Sequence, residues 1–170
     1  LAAHDRQQIS ASLLAFLAEL ESLILTGFGE EVPGSRAERL AKGNFPSDSQ
    51  GPHPGRNAME TVLFSTLAGI DHARLFARSL LLEDAAFGLA TLTRGAVEAY
   101  ARAWWFIEPQ EDLELVTRWL SGLATELEMF ARLRPDAVLH EMRGRDSNAA
   151  AERERVLDDL ERLTGSRKVR

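Results

Sequence analysis

Leu113-Glu-Leu-Val-Thr-Arg-Trp-Leu-Ser-Gly-Leu-Ala-Thr-Glu-Leu-Glu-Met-Phe130 carries the clearest pattern in the chain. Its Leu113, Val116, Leu120, Leu123, Leu127 and Phe130 follow one another at alternating spacings of three and four. That is the a/d seam of a helix lying against other helices. The seam lasts under three heptads, which suits a bundle better than a free coiled coil. Gln110-Glu-Asp112 ahead of it supplies negative charge where the helix dipole favours it, and Arg134-Pro135 interrupts it.

Two long apolar helices precede this one. The spacing predicts one over about Ala58 to Leu82, apolar nearly all round except for a narrow stripe of Glu60, Asp71, Arg74 and Arg78. The next runs from about Asp84 to Glu108, with Leu89, Leu92, Val97, Tyr100, Trp104 and Ile107 covering most of its circumference before Pro109 ends it. Helices apolar on most sides are buried helices. A first helix spans about Arg6 to Leu25 on the stripe Ile9, Leu13, Phe16, Leu17, Leu20 and Ile24, stopped by Gly27 and Gly29.

From Gly27 to Asn57 the composition shifts, with six of the 12 Gly and four of the six Pro. The stretch reads as a long loop, and Ser35-Arg-Ala-Glu38 has capping-box spacing for a short helix over 36–42. Its Gly43–Arg56 part is expected to be mobile or held only by a partner or ligand. A last helix, about Ala149 to Leu163, has a thin apolar face of Val156, Leu160 and Leu163, and 164–170 reads as a frayed tail. No stretch alternates convincingly as a strand. The expectation is one all-α domain over residues 1–170, an antiparallel four- to five-helix bundle with a long Gly/Pro-rich loop after the first helix.

Composition narrows the function classes. No run reaches the ~18 to 20 uncharged apolar residues of a membrane span, and Leu1-Ala-Ala-His-Asp-Arg6 shows no basic-then-apolar export signal. With no cysteine, disulfides, thiolate catalysis and cysteine-ligated zinc are excluded. A net charge of −6 argues against non-specific nucleic-acid binding and against anionic lipid. Arginine outnumbers lysine 18 to 2, a bias of GC-rich bacterial coding. The expected setting is the cytoplasm of a bacterium, with no membrane contact.

Candidate sites are few. On the third long helix Arg94, Glu98 and Arg102 stand at i, i+4 and i+8, with Phe87 and Trp105 on the same stripe. This arrangement reads either as a carboxylate between two guanidiniums, suited to a polar ligand, or as a solvated ladder of ion pairs. His72 lies opposite Asp71, Arg74 and Arg78, in line with Ser65 and Ser79, and Ala68 and Gly69 beside it permit close helix approach. It is a candidate base or ligand anchor, or a structural hydrogen-bonding histidine. His4, His53, His72 and His140 lack metal-ligand spacing, no Glu-x-x-His pair is present, and no glycine-rich phosphate loop is found, so neither a metal nor a cofactor is expected.

Two likenesses follow from particular residues. Arg134-Pro-Asp-Ala-Val-Leu-His140 has the R-x(4–6)-H form of HEPN ribonucleases, helical bundles that dimerise to pair two such motifs, although Pro135 departs from the polar residue usual there. Leu92-Thr-Arg-Gly-Ala-Val-Glu-Ala-Tyr-Ala-Arg-Ala-Trp-Trp-Phe-Ile-Glu-Pro109, followed by Arg118, resembles all-helical actinobacterial proteins of no known activity. That resemblance covers roughly Asp71 to Arg118 and implies that Arg94 and Glu98 are characteristic. Packing patterns dominate, so the expected function is a non-catalytic binding or self-association module, a homodimer able to take a protein partner or a small molecule. The alternative is an enzyme or small-ligand binder with a pocket of His72, Arg94, Glu98, Arg102 and Trp105, with HEPN-like catalysis by Arg134 and His140 behind it.

Overall fold

The computed structural model describes residues 2–28, 32–82, 86–134, 138–140 and 146–168. Its helices are α1 Ala3–Phe28, α2 Arg36–Lys42, α3 Pro54–Ser79, α4 Ala86–Ile107, α5 Asp112–Leu133 and α6 Ala149–Thr164. Between α5 and α6, β1 Val138–His140 and β2 Asp146–Asn148 pair antiparallel, with Val138 opposite Asn148 and His140 opposite Asp146. The described chain is therefore all-α apart from one small hairpin, with six helices where four to five were expected. A three-residue ladder is too short to display a period of two, which is why the sequence showed no strand.

Helix ends differ from expectation for local reasons. α1 runs through Gly27, which is not among the glycines of positive φ. α3 starts earlier than expected, on Pro54, whose missing N–H costs nothing at a first helical position. The expected start of α4 at Asp84 lies outside the described residues. Contacts group the chain into two compact units, 1–33 with 60–107 and 34–59 with 108–170, so the division falls inside α3.

In the first unit, Leu17, Ile70, Ala77, Leu80, Ala103 and Phe106 are buried. α3 and α4 meet through two reciprocal glycine contacts. The Tyr100 ring stands 2.8 Å from where a Gly69 Cβ would be, and the His72 imidazole 2.9 Å from where a Gly95 Cβ would be. The later residue of each helix meets the earlier one of the other, so the pair is antiparallel. Arg74 of α3 grips both carboxylate oxygens of Glu21 on α1, one bond measuring 3.0 Å. That hydrogen bonding holds the Glu21 carboxyl below its ordinary range.

The two long central helices are not buried all round. α3 leaves Phe64 and Leu75 in water, and α4 leaves Phe87, Val97 and Trp104 there. Within one unit, α1, α3 and α4 cover only the sides they turn to one another. α1 is itself long and apolar enough to cross a membrane, with an 18-residue window of mean hydropathy 1.7 that is only 11% buried. The sequence test overlooked it by asking for an uncharged run, and Glu19 and Glu21 interrupt the stretch Ile9–Thr26.

The second unit has the fuller core. α5 packs along α6, and α2 packs on α5. The α5 seam is rotated from the expected one: Val116 and Leu120 are buried together with Leu115, Trp119 and Ala124, while Leu113 and Phe130 at its ends are exposed. Ser35 caps α2 by accepting the Glu38 N–H at 3.1 Å, and Glu38 reaches the Gly34 N–H at 2.6 Å, one residue short of a full capping box. Arg36 and Arg39 each donate to Asp112 at 3.0 Å, fastening α2 to the first turn of α5. Asn148 caps α6 at its start, and Gly165, at φ 70°, closes it by donating to Glu161 O at 2.7 Å.

α1, α2 and α3 take up much of the expected loop of 27–57; besides the turn at 32–35, its described remainder is an irregular stretch over 43–53. It is fastened, not loose. The Phe45 ring sits against Gly43 and Gly55, and Asp159 of α6 gathers Ser47, Asp48 and Ser49 by hydrogen bonds. Glycine at 55 is required by space, since a Cβ there would run into the Leu40 carbonyl and the Phe45 ring.

Candidate functional site

Phe87, Ala90, Arg94, Val97, Ala101 and Trp104 succeed one another along α4 at alternating spacings of three and four, and all six are exposed. The opposite side of the helix carries the buried Ala103 and Phe106. Phe87 is 94% exposed, Val97 60% and Trp104 64%. Arg94 Nε donates to Glu98 Oε1 at 2.7 Å, with the two side chains 80% and 62% exposed. The carboxylate raises the affinity of the Arg94 guanidinium for its proton, first through that hydrogen bond. Of the two readings of this ladder, the placement is that of a solvated pair.

The remaining members of the expected pocket make contacts of their own. Arg102 places its guanidinium carbon 5.7 Å from the centre of the Phe106 ring, and Trp105 tilts against the same ring at 5.0 Å between centroids. His72 lies over the Gly95 backbone on the side of α4 that faces α3. Its Nδ1 is shielded from water and has no hydrogen-bond partner among the described residues. Arg94 and Glu98 are therefore brought together, whereas His72 lies on the α3-facing side of α4. Ala68 and Gly69 do allow the close helix approach read from the sequence, with Tyr100 as the side chain admitted by Gly69.

Arg134 is the C-cap of α5, its N–H bonded to Phe130 O at 2.8 Å, and His140 is on β1. The two stand on different elements, and 135–137 between them lie outside the described residues. Among the described residues, no three His, Asp or Glu side chains are grouped to hold a metal ion. One surface groove of about 370 Å³ is lined by Glu128, Ala131, Arg132, Ala150, Arg153 and Glu154, whose charges pair among themselves. Another of about 340 Å³ is lined by Asp71, Arg74, Leu75 and Arg78 on α3.

The densest polar cluster went unnoticed in the sequence. Asp159 is 0% exposed and accepts from Ser47 Oγ at 2.8 Å, Asp48 N at 2.8 Å, Ser49 N at 2.9 Å and Ser49 Oγ at 2.5 Å. Burial pushes its carboxyl up, but these four bonds outweigh burial and leave it below its ordinary value. Arg162 joins the cluster by pairing with Asp48 at 2.6 Å. The available signal was a carboxylate at 159 set on the apolar stripe of α6 between Val156 and Leu160. Its chemistry is that of a clamp, since all four of these bonds come from the chain's own 47–49 segment, with Arg162 of the same helix beside it at 3.6 Å.

No family model, curated protein or solved structure matches the chain.

Proposed function

We propose that the chain is a non-catalytic helical interaction module that works by association, in the cytoplasm of a bacterium, with its helices arranged as an antiparallel bundle. One observation carries the reading: the stripe Phe87, Ala90, Arg94, Val97, Ala101 and Trp104 lies wholly in water. Phe87 and Trp104 alone leave on the order of 300 Å² of ring surface exposed, comparable to the largest apolar patch of an ordinary monomer, which is often functional. Alternating large and small residues at a/d spacing suit a helix as the object bound. The absence of cysteine and the arginine-rich composition support the assigned setting.

The test is sedimentation equilibrium of the whole chain across micromolar concentrations, with Val97→Asp/Trp104→Asp as the comparison. Association of the wild type that the double variant loses, with helicity unchanged by circular dichroism, is the expected result. A wild type that stays monomeric, and binds no amphipathic helical peptide by Trp104 fluorescence, overturns the reading.

A further inference from the structure

The α4 stripe is self-complementary when laid antiparallel on a copy of itself. Turned about a two-fold axis between Gly95 and Ala96, Arg94 comes level with Val97 of a second chain and within one residue of its Glu98, and Glu98 within one residue of its Arg94. The same rotation sets Ala90 beside Ala101 of the second chain, and Phe87 beside its Trp104. The small pair lets the helix backbones approach, and the large pair closes each end. A parallel arrangement instead stacks Arg94 on Arg94, a like-charge contact that costs free energy at close range. We infer that this face docks a second copy of the chain, forming an isologous antiparallel α4–α4 contact with a four-membered Arg94–Glu98 cluster at its centre.

This rests on the proposed function and names its partner. Charge argues for a second copy over a lipid surface: Arg94, Glu98 and Arg102 leave the stripe and its flank only one net positive charge, where a membrane-facing helix bears a larger excess of Lys and Arg. The acidic chain, at −6 overall, adds no attraction to anionic headgroups.

The chain has no cysteine of its own, so orientation can be read by cross-linking. Under oxidation, Ala90→Cys/Ala101→Cys is expected to form covalent dimers while neither single variant does. Arg94→Glu and Glu98→Arg, each retaining helicity, should weaken association by at least about tenfold, and Arg94→Glu/Glu98→Arg should restore it. Cross-linking of either single variant means a parallel contact and overturns the inference. So does wild-type association insensitive to both charge reversals, although the broader reading of an interaction module survives that result. Co-sedimentation with phosphatidylcholine–phosphatidylglycerol vesicles, without self-association, replaces the second copy by a membrane surface. A monomer that binds neither copy, peptide nor vesicle defeats inference and function together.

Discussion

Asp159 shows how one residue can decide a segment's structure. Its carboxylate, buried on α6, accepts four bonds from Ser47, Asp48 and Ser49. Asp159→Ala leaves two hydroxyls and two backbone N–H groups without their acceptor, and should cost roughly 3 kcal/mol in denaturant unfolding, since bonds to a charged group are the strong ones. The lowered carboxyl also fixes a pH dependence. Its stabilising contribution is complete above the unfolded-state value of about 3.9 and falls away as acid protonates the folded carboxylate below that value. Wild-type stability should therefore drop with pH in that acid window, and Asp159→Ala should show a shallower drop. Glycine 55 makes the same point sterically. Gly55→Ala forces a Cβ into the Leu40 carbonyl and should destabilise by about 1–3 kcal/mol. Gly88→Ala meets open space on α4 and should be neutral or gain up to about 1 kcal/mol.

Among the elements, the pairing of α3 with α4 and the fastening of 43–53 invite separate tests. Gly69 and Gly95 admit Tyr100 and His72 at distances a methyl group cannot share. Gly69→Ala and Gly95→Ala should both lower the thermal midpoint, despite alanine's better helix propensity. If either raises it, the helices do not meet through these residues. For the 43–53 stretch, the sequence pointed to mobility because Pro, Gly and Ser bury little surface. The clamp changes that expectation. Proteinase K at neutral pH should leave this segment intact in the wild type and cut it in Asp159→Ala; early cleavage of the wild type there would show that the clamp does not hold the segment.

For the molecule as a whole, the exposed apolar surface is unevenly shared. The unit containing α1 and α4 leaves Ile9, Phe16, Leu23, Phe64, Phe87, Val97 and Trp104 among others in water, whereas the unit built on α5 and α6 exposes only Leu113, Met129, Phe130 and Leu133 of its described large apolar side chains. If association covers the first set, stability depends on concentration by mass action. The thermal midpoint should rise from nanomolar to tens of micromolar chain for the wild type, and stay flat for Val97→Asp/Trp104→Asp. A flat wild-type profile would show that no copy covers this surface.

Helices were legible in the sequence because periodicity and punctuation are local. The stripe from Leu113, the Ser35 and Glu38 cap, Pro109 and Gly165 act within a turn or two of themselves, and Arg36–Lys42 follows from that cap. What each apolar face meets is not local. Leu113 to Phe130 marked a seam, but the partners of α5 rotated the buried stripe toward Leu115 and Trp119. Arg94 and Glu98 carry the same i, i+4 spacing whether solvated or enclosed, so only the placement of α4 distinguished the two. The Asp159 clamp joins residues more than a hundred positions apart, and no window of sequence contains both its halves. Periodicity decides that a helix forms and which residues share a face; tertiary structure alone decides whether that face meets protein or water.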